Sequence, residues 1–116
     1  AQGYFEACLA IFREHGYARG IANTLNNLGS NYGRNDRFAE ERPLYEEAYA
    51  LALEVGEPIL IAVTLSNMAA NARSLGDFEQ SRRFYERSLA YCRAIGEQRW
   101  IATNLNGLGL TLLDMG

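Results

Sequence analysis

Residues 16–36 read GYARGIANTLNNLGSNYGRND, and the same pattern returns twice, each time 40 residues further along the chain. The second copy, residues 56–76, reads GEPILIAVTLSNMAANARSLG, and the third, residues 96–116, reads GEQRWIATNLNGLGLTLLDMG. A fixed period of this kind is the sequence signature of a solenoid, in which each unit stacks only on its neighbours. The period therefore indicates an open repeat architecture before any single element is assigned.

Apolar residues at helical spacing form two stripes in each repeat. In the first repeat one stripe runs from Ile21 to Tyr32, and a second runs from Phe38 to Val55. Such stripes bury one face of a helix against its neighbours, and the Gly and Pro residues between them mark turns. We therefore expect six helices, at roughly 2–15, 18–34, 37–55, 58–74, 77–95 and 98–114.

Two residues bear on how these helices begin. Asp77, followed by Gln80, has the spacing of an N-cap with a capping-box partner. Pro43 falls about six residues into the third helix, where it removes a backbone hydrogen bond and should kink or delay that helix. We expect this irregularity to lie on an exposed face and not to act as a functional hinge.

One set of residues in the first repeat matches a known pattern: Leu25, Leu28, Gly29 and Tyr32 on the first helix, then Phe38, Tyr45 and Ala48 on the second. They resemble the tetratricopeptide repeat, whose first helix reads W-x2-L-G-x2-Y. Glu41 and Ser81 depart from the pattern, because a small Ala is usual there. The resemblance covers the whole chain and implies an all-α fold, a right-handed superhelical solenoid of antiparallel helix hairpins with about six helices.

The period of 40 residues is similar to a long-helix variant of this family. That variant occurs in kinesin light chains, in spindle-orientation adaptors and in bacterial signalling regulators. The phrase LNNLG at residues 25–29 and the Ala-rich, Lys-free composition are most similar to the bacterial group.

We expect residues 1–116 to form a single repeat domain that contains whole and partial units. Residues 1–15 align with the second helix of a repeat, 16–55 and 56–95 are whole repeats, and 96–116 form the first helix of another. The chain is then either a slice of a longer array or a unit that associates with itself through its terminal helices. The apolar residues that such association would cover are Tyr4, Phe5, Phe12 and Leu112.

The composition argues against two classes of partner. With 11 basic and 14 acidic residues the net charge is −3, whereas nucleic-acid-binding proteins usually carry a clear positive surplus. No run approaches the roughly 18 apolar residues of a membrane span, so we expect no membrane partner. The two cysteines, Cys8 and Cys92, are expected to be free thiols, which fits a reducing cytoplasm.

The titratable residues give no indication of an enzyme. His15 is the only histidine, so no His-rich metal site or His-paired nucleophile is available beyond that ring. The second helices interleave acidic and basic residues, as in Glu79, Arg82, Arg83 and Arg87, which is typical of a solvated surface with (i, i+4) pairs. We therefore predict a protein without catalytic residues, cofactor or metal.

The first helix of each repeat breaks a local rule on the side away from its apolar stripe. Exposed helix positions normally hold Glu, Lys, Arg or Gln, whereas these hold mainly Asn, Ser, Thr and small apolar residues. Each Asn costs a helix about half a kcal/mol relative to Ala, so a repeated exception indicates function. The candidate partner-binding residues are Asn23, Asn26, Asn27, Ser30, Arg34, Val63, Ser66, Asn67, Ala70, Arg73, Thr103, Asn106 and Leu110.

The resemblance also implies how such residues would act. In tetratricopeptide proteins the first helices line a concave groove, and an Asn before the Leu-Gly pair holds the main chain of the ligand. Asn27 and Asn67 match that position and Gly107 does not, which predicts a lost contact in the third repeat. Only Arg34 and Arg73 lie near this face, so we expect the partner to be recognised by backbone and small apolar contacts. The alternative is that the amides bond neighbouring helices or water.

These features predict a non-catalytic scaffold for protein–protein interaction that binds an extended peptide or a partner protein in its concave groove. We expect it to be part of a larger bacterial regulatory protein in the cytoplasm. The alternative is a self-association module, a homo-oligomer built through the terminal helices.

Overall fold

The structure is a computed structural model that describes residues 2–116. The described residues contain six α-helices and no strand, which confirms the all-α prediction. Every predicted helix boundary lies within one residue of the observed one. The helices are α1 (Gln2–Glu14), α2 (Ala18–Arg34), α3 (Phe38–Val55), α4 (Pro58–Ser74), α5 (Phe78–Ile95) and α6 (Gln98–Met115).

Glycines end the second helices of both whole repeats. Gly56 and Gly96 follow α3 and α5 with φ of 76° and 71°, the left-handed conformation that residues with a Cβ adopt at a cost. At the other end of α5, the Asp77 carboxylate accepts a hydrogen bond from the backbone N–H of Gln80 at 3.3 Å. This bond confirms the predicted N-cap.

Pro43 does not delay the third helix. Helix α3 begins at Phe38 and runs through Pro43 to Val55, so the predicted delay is wrong. Pro43 cannot donate to the carbonyl of Ala39, but both residues are exposed, and water can satisfy that carbonyl. Pro43 lies on an exposed face, as predicted.

The chain divides into two compact units, and the first ends at Glu57. In this unit α2 packs against both α1 and α3. Its core includes the buried residues Ile21, Leu25 and Ala48, against which four partly buried side chains pack. These four are Leu9, Phe12, Leu44 and Leu51.

The second unit, residues 58–116, contains α4, α5 and α6. Helix α5 packs against both of the others, and α4 also contacts α6. The interior of this unit includes a polar network. The fully buried Asn104 donates from Nδ2 to Ser88 Oγ at 2.9 Å, and Ser88 Oγ donates to the carbonyl of Ala62 at 2.7 Å. This network ties the three helices together inside the unit.

The two cysteines lie in different environments. Cys8 on α1 is half-buried, whereas Cys92 on α5 is fully buried, and both are free thiols. Burial raises the pKa of the Cys92 thiol, which disfavours the reactive thiolate.

We expect Ellman's reagent to modify Cys8 in the native protein and Cys92 only after the protein opens. In the native Cys8→Ser variant, Cys92 should react about 100-fold more slowly than in the same variant unfolded in urea. The reason is that the reagent reaches Cys92 only when the native protein opens transiently. Absorbance of the released thiolate dye measures both rates. Fast reaction of native Cys8→Ser would contradict the burial of Cys92.

Candidate functional site

The predicted residues of α2 fall into different environments. Asn23, Asn27 and Arg34 are exposed, Ser30 is half-buried, and Asn26 is buried with only 6% of its surface exposed. The expectation that Asn26 is exposed is therefore wrong. Asn26 lies four residues after the fully buried Ala22, and residues four apart share one face of a helix.

Helix α4 repeats this arrangement. Ala70 is exposed, and Val63, Asn67 and Arg73 are half-buried. Ser66, expected on the exposed side, is buried, because it lies four residues after the fully buried Ala62, as Asn26 does after Ala22.

Ser30 contributes to packing within the first unit. Its hydroxyl lies 3.3 Å from the hydroxyl of Tyr45, which donates a hydrogen bond to the Glu41 carboxylate at 2.9 Å. Glu41 and Tyr45 are both buried, and burial raises the pKa of the Tyr45 phenol. The carboxylate at position 41, unusual for the repeat pattern, is thus a hydrogen-bond acceptor for Tyr45.

The two Asn residues that match the ligand-binding position remain accessible. Asn27 is exposed on α2, and Asn67 is half-buried on α4. Each follows a run of three buried residues, which begins at Thr24 in α2 and at Thr64 in α4. The core packing of these segments holds each helix in place within its own unit.

Tyr85 explains why the third repeat has Gly107 in place of Asn. Gly107 is buried in α6, and a Cβ built on it would lie 2.6 Å from Cε1 of Tyr85, closer than real Cβ contacts. An Asn cannot occupy this space while the ring stays in place. The sequence carried a signal for this packing, since a glycine inside a helix costs about 1 kcal/mol relative to Ala and needs a reason.

The other candidates on α6 are all exposed. They are Thr103, Asn106 and Leu110. Thr103 uses its hydroxyl locally, because Oγ1 donates to the carbonyl of Arg99 at 3.0 Å. Asn106 and Leu110 therefore supply the accessible amide and apolar surface of this helix.

Several charged residues of the second unit form ion pairs within that unit. Arg73 on α4 contacts Asp114 on α6, with Nε 2.6 Å from Oδ2. On α5, Arg82 pairs with Glu79 and with Glu86, and its hydrogen bond to Glu79 lowers the pKa of that carboxyl group. The basic residues of α5 are thus neutralised largely by the same helix.

Two further findings concern metals and membranes. Among residues 2–116, His, Cys, Asp and Glu side chains do not assemble into any group of three or more that could hold a metal ion. In the same part of the chain, every helix is too short or too polar to cross a membrane.

The fold and this surface define a class of protein, the helical repeat proteins built from paired helices. Within that class, models of the tetratricopeptide repeat match residues 21–55 and residues 60–116. The chain belongs to the tetratricopeptide repeat family. No curated protein matches it. Tetratricopeptide repeats generally mediate protein–protein interaction and are typically non-catalytic scaffolds.

Proposed function

We propose that this chain binds an extended peptide, or an extended segment of a partner protein, in a groove lined by the first helices of its repeats. The observation that carries the proposal is an Asn at the same position of two repeats, exposed at Asn27 and half-buried at Asn67. One Asn side chain offers an acceptor and two donors, so it can pair with both backbone groups of an extended residue. Backbone pairing gives affinity for a strand without requiring a particular sequence.

The neighbouring side chains favour a partner with small apolar residues. Val63 is half-buried and Ala70 is exposed, so these positions offer shallow apolar contacts. The nearby Arg73 is already paired with Asp114. The proposed partner is therefore recognised through its main chain and small apolar side chains rather than through an acidic terminus.

On the resemblance to bacterial regulators, we also propose that the chain is the interaction segment of a larger bacterial regulatory protein that works in the cytoplasm. In that setting it would act as a scaffold, because the candidate surface offers amides and small apolar groups but few titratable residues.

Selection from a displayed library of random peptides would supply a probe for this surface. The selected peptide should lose affinity for Asn27→Ala and for Asn67→Ala by about 5- to 10-fold each, because a hydrogen bond contributes about 1 kcal/mol. In the double variant the losses should multiply to about 25- to 100-fold. Isothermal titration calorimetry measures all four affinities.

Asn35→Ala is the matched control. Asn35 follows the end of α2, and its Nδ2 donates to the carbonyl of Asn31 at 2.9 Å, so it serves the helix end. Its replacement should leave peptide affinity unchanged. If the double variant keeps its helical circular dichroism and its affinity, the peptide binds elsewhere.

A further inference from the structure

We propose that copies of this chain associate head to tail, with α1 of one copy packed on the exposed face of α6 of the next, as α3 packs on α2. This inference goes beyond peptide binding in the groove. It commits to a second copy as the occupant of the α6 face, and it rests on exposed side chains of both helices and on the half-buried Phe5.

Helix α6 exposes apolar side chains at repeat positions that are buried in α2. Leu105 is 46% exposed, whereas Leu25, at the same repeat position of α2, is 1% exposed. Leu112 and Leu113 extend the exposed apolar surface towards the end of α6. A contiguous patch of this kind is characteristic of a protein–protein contact.

Helix α1 exposes the complementary surface. Tyr4 is 71% exposed and Ile11 is 55% exposed. Their repeat equivalents on α3 are Leu44 and Leu51, which pack against the core around Leu25 in the first unit. The exposed faces of α1 and α6 therefore correspond to the two halves of the interface that α3 and α2 form.

The model for this interface is the contact between Tyr45 and α2. The Tyr45 ring lies against Gly29, where a Cβ would be 2.6 Å from Cε1, and its hydroxyl pairs with that of Ser30. On α6 the equivalent of Gly29 is Gly109, around which no atom lies within 4 Å of a built Cβ. The surface beside Gly109 thus has space for an aromatic ring.

Next to Gly109, both α6 and α1 differ from their repeat equivalents α2 and α3. Leu110 on α6 replaces Ser30, which removes the hydroxyl that pairs with Tyr45. Phe5 on α1 replaces Tyr45, which removes the other hydroxyl. An apolar Phe–Leu contact thus replaces a polar Tyr–Ser contact, with no unpaired hydroxyl on either side. This chemical match selects α1 of a second copy as the occupant.

Such a contact does not close on itself. It uses α1 of one copy and α6 of the other, so a pair still presents one unused α1 face and one unused α6 face. A heterologous interface of this type adds further copies unless its rotation closes a ring. The expected assembly therefore grows beyond a dimer as concentration rises.

Sedimentation velocity of the full chain over a range of concentrations tests the proposal. The average mass of the wild-type chain should rise past that of a dimer, whereas Ile11→Glu and Leu105→Glu should each remain monomeric. An equimolar mixture of the two variants should form a dimer and stop there. In that mixture, the intact α1 of the Leu105→Glu copy binds the intact α6 of the Ile11→Glu copy.

Leu53→Glu is the matched control. Leu53 is an exposed leucine of α3 at the repeat position held by Arg13 and Arg93, outside both faces, so this variant should associate like the wild type. Unchanged circular dichroism verifies folding in each case. A wild-type chain that stays monomeric at every concentration would overturn the proposal. Association of Ile11→Glu alone or of Leu105→Glu alone would also overturn it, and so would an equimolar mixture of these two variants that stays monomeric.

Discussion

Replacing Leu25 with Ala should lower the free energy of unfolding by about 3 kcal/mol, because the substitution removes a fully buried side chain and leaves a cavity. Leu25 is 1% exposed and packs with Ile21 and Ala48 between α1 and α3. The surrounding side chains come from three helices, so they cannot all move inward to fill the space. A loss of this size is a large fraction of the stability of a small domain.

Leu105→Ala is the matched control, since the same residue stands at the same repeat position with 46% of its surface exposed. Its cost should stay below about 1 kcal/mol, because less apolar surface returns to water. Urea denaturation followed by circular dichroism measures both changes. Dilute protein is needed, because association through α6 would itself bury Leu105. Equal losses for the two variants would contradict the difference in burial.

Gly107→Asn should destabilise the protein by about 2 kcal/mol, although it restores the residue of the first two repeats. The new Cβ would lie 2.6 Å from Cε1 of Tyr85, and Tyr85 is itself buried at 6% exposure. The ring cannot swing into solvent without exposing its own apolar surface. Either α6 or the ring must therefore shift, and the packing between α5 and α6 loses contacts.

Gly109→Asn is the corresponding control in the same helix. A Cβ on Gly109 meets no atom within 4 Å, so this change should alter stability by less than about 0.5 kcal/mol. Thermal unfolding of dilute samples compares the two variants. In a Tyr85→Leu background the cost of Gly107→Asn should shrink, because the side chain that causes the clash is smaller. A Gly107→Asn protein as stable as Gly109→Asn would show that the ring is not fixed.

The helix boundaries could be predicted because their signals are local. Gly56 and Gly96 end helices by adopting positive φ, and Asp77 begins one by accepting a hydrogen bond from a backbone N–H three residues away. Each of these effects depends on a few neighbouring residues, and the glycine signal recurs 40 residues further along the chain. The delay predicted from Pro43 is wrong, because water can reach the carbonyl that Pro43 leaves unpaired, and the local sequence does not specify that exposure.

The environment of the site residues was harder to predict, because it depends on contacts between helices. Asn26 and Ser66 have the polar character of surface residues, yet each shares a helix face with a buried Ala. The reason for Gly107 lies in Tyr85, on a different helix of the same unit. Asn104 is polar and fully buried, and its partner Ser88 is 16 residues away. Periodicity identifies the apolar face of a helix, but it does not identify the side chains of other helices that contact that face.

The ion pairs along α5 have a consequence for how the protein responds to ionic strength. Arg82 and Arg83 pair with carboxylates three or four residues away on their own helix, and such exposed pairs contribute little to stability. Added salt would screen these contacts while leaving the buried core of each unit intact. Changes in cellular salt should therefore affect the colloidal behaviour of this protein more than its fold or its affinity for a neutral peptide.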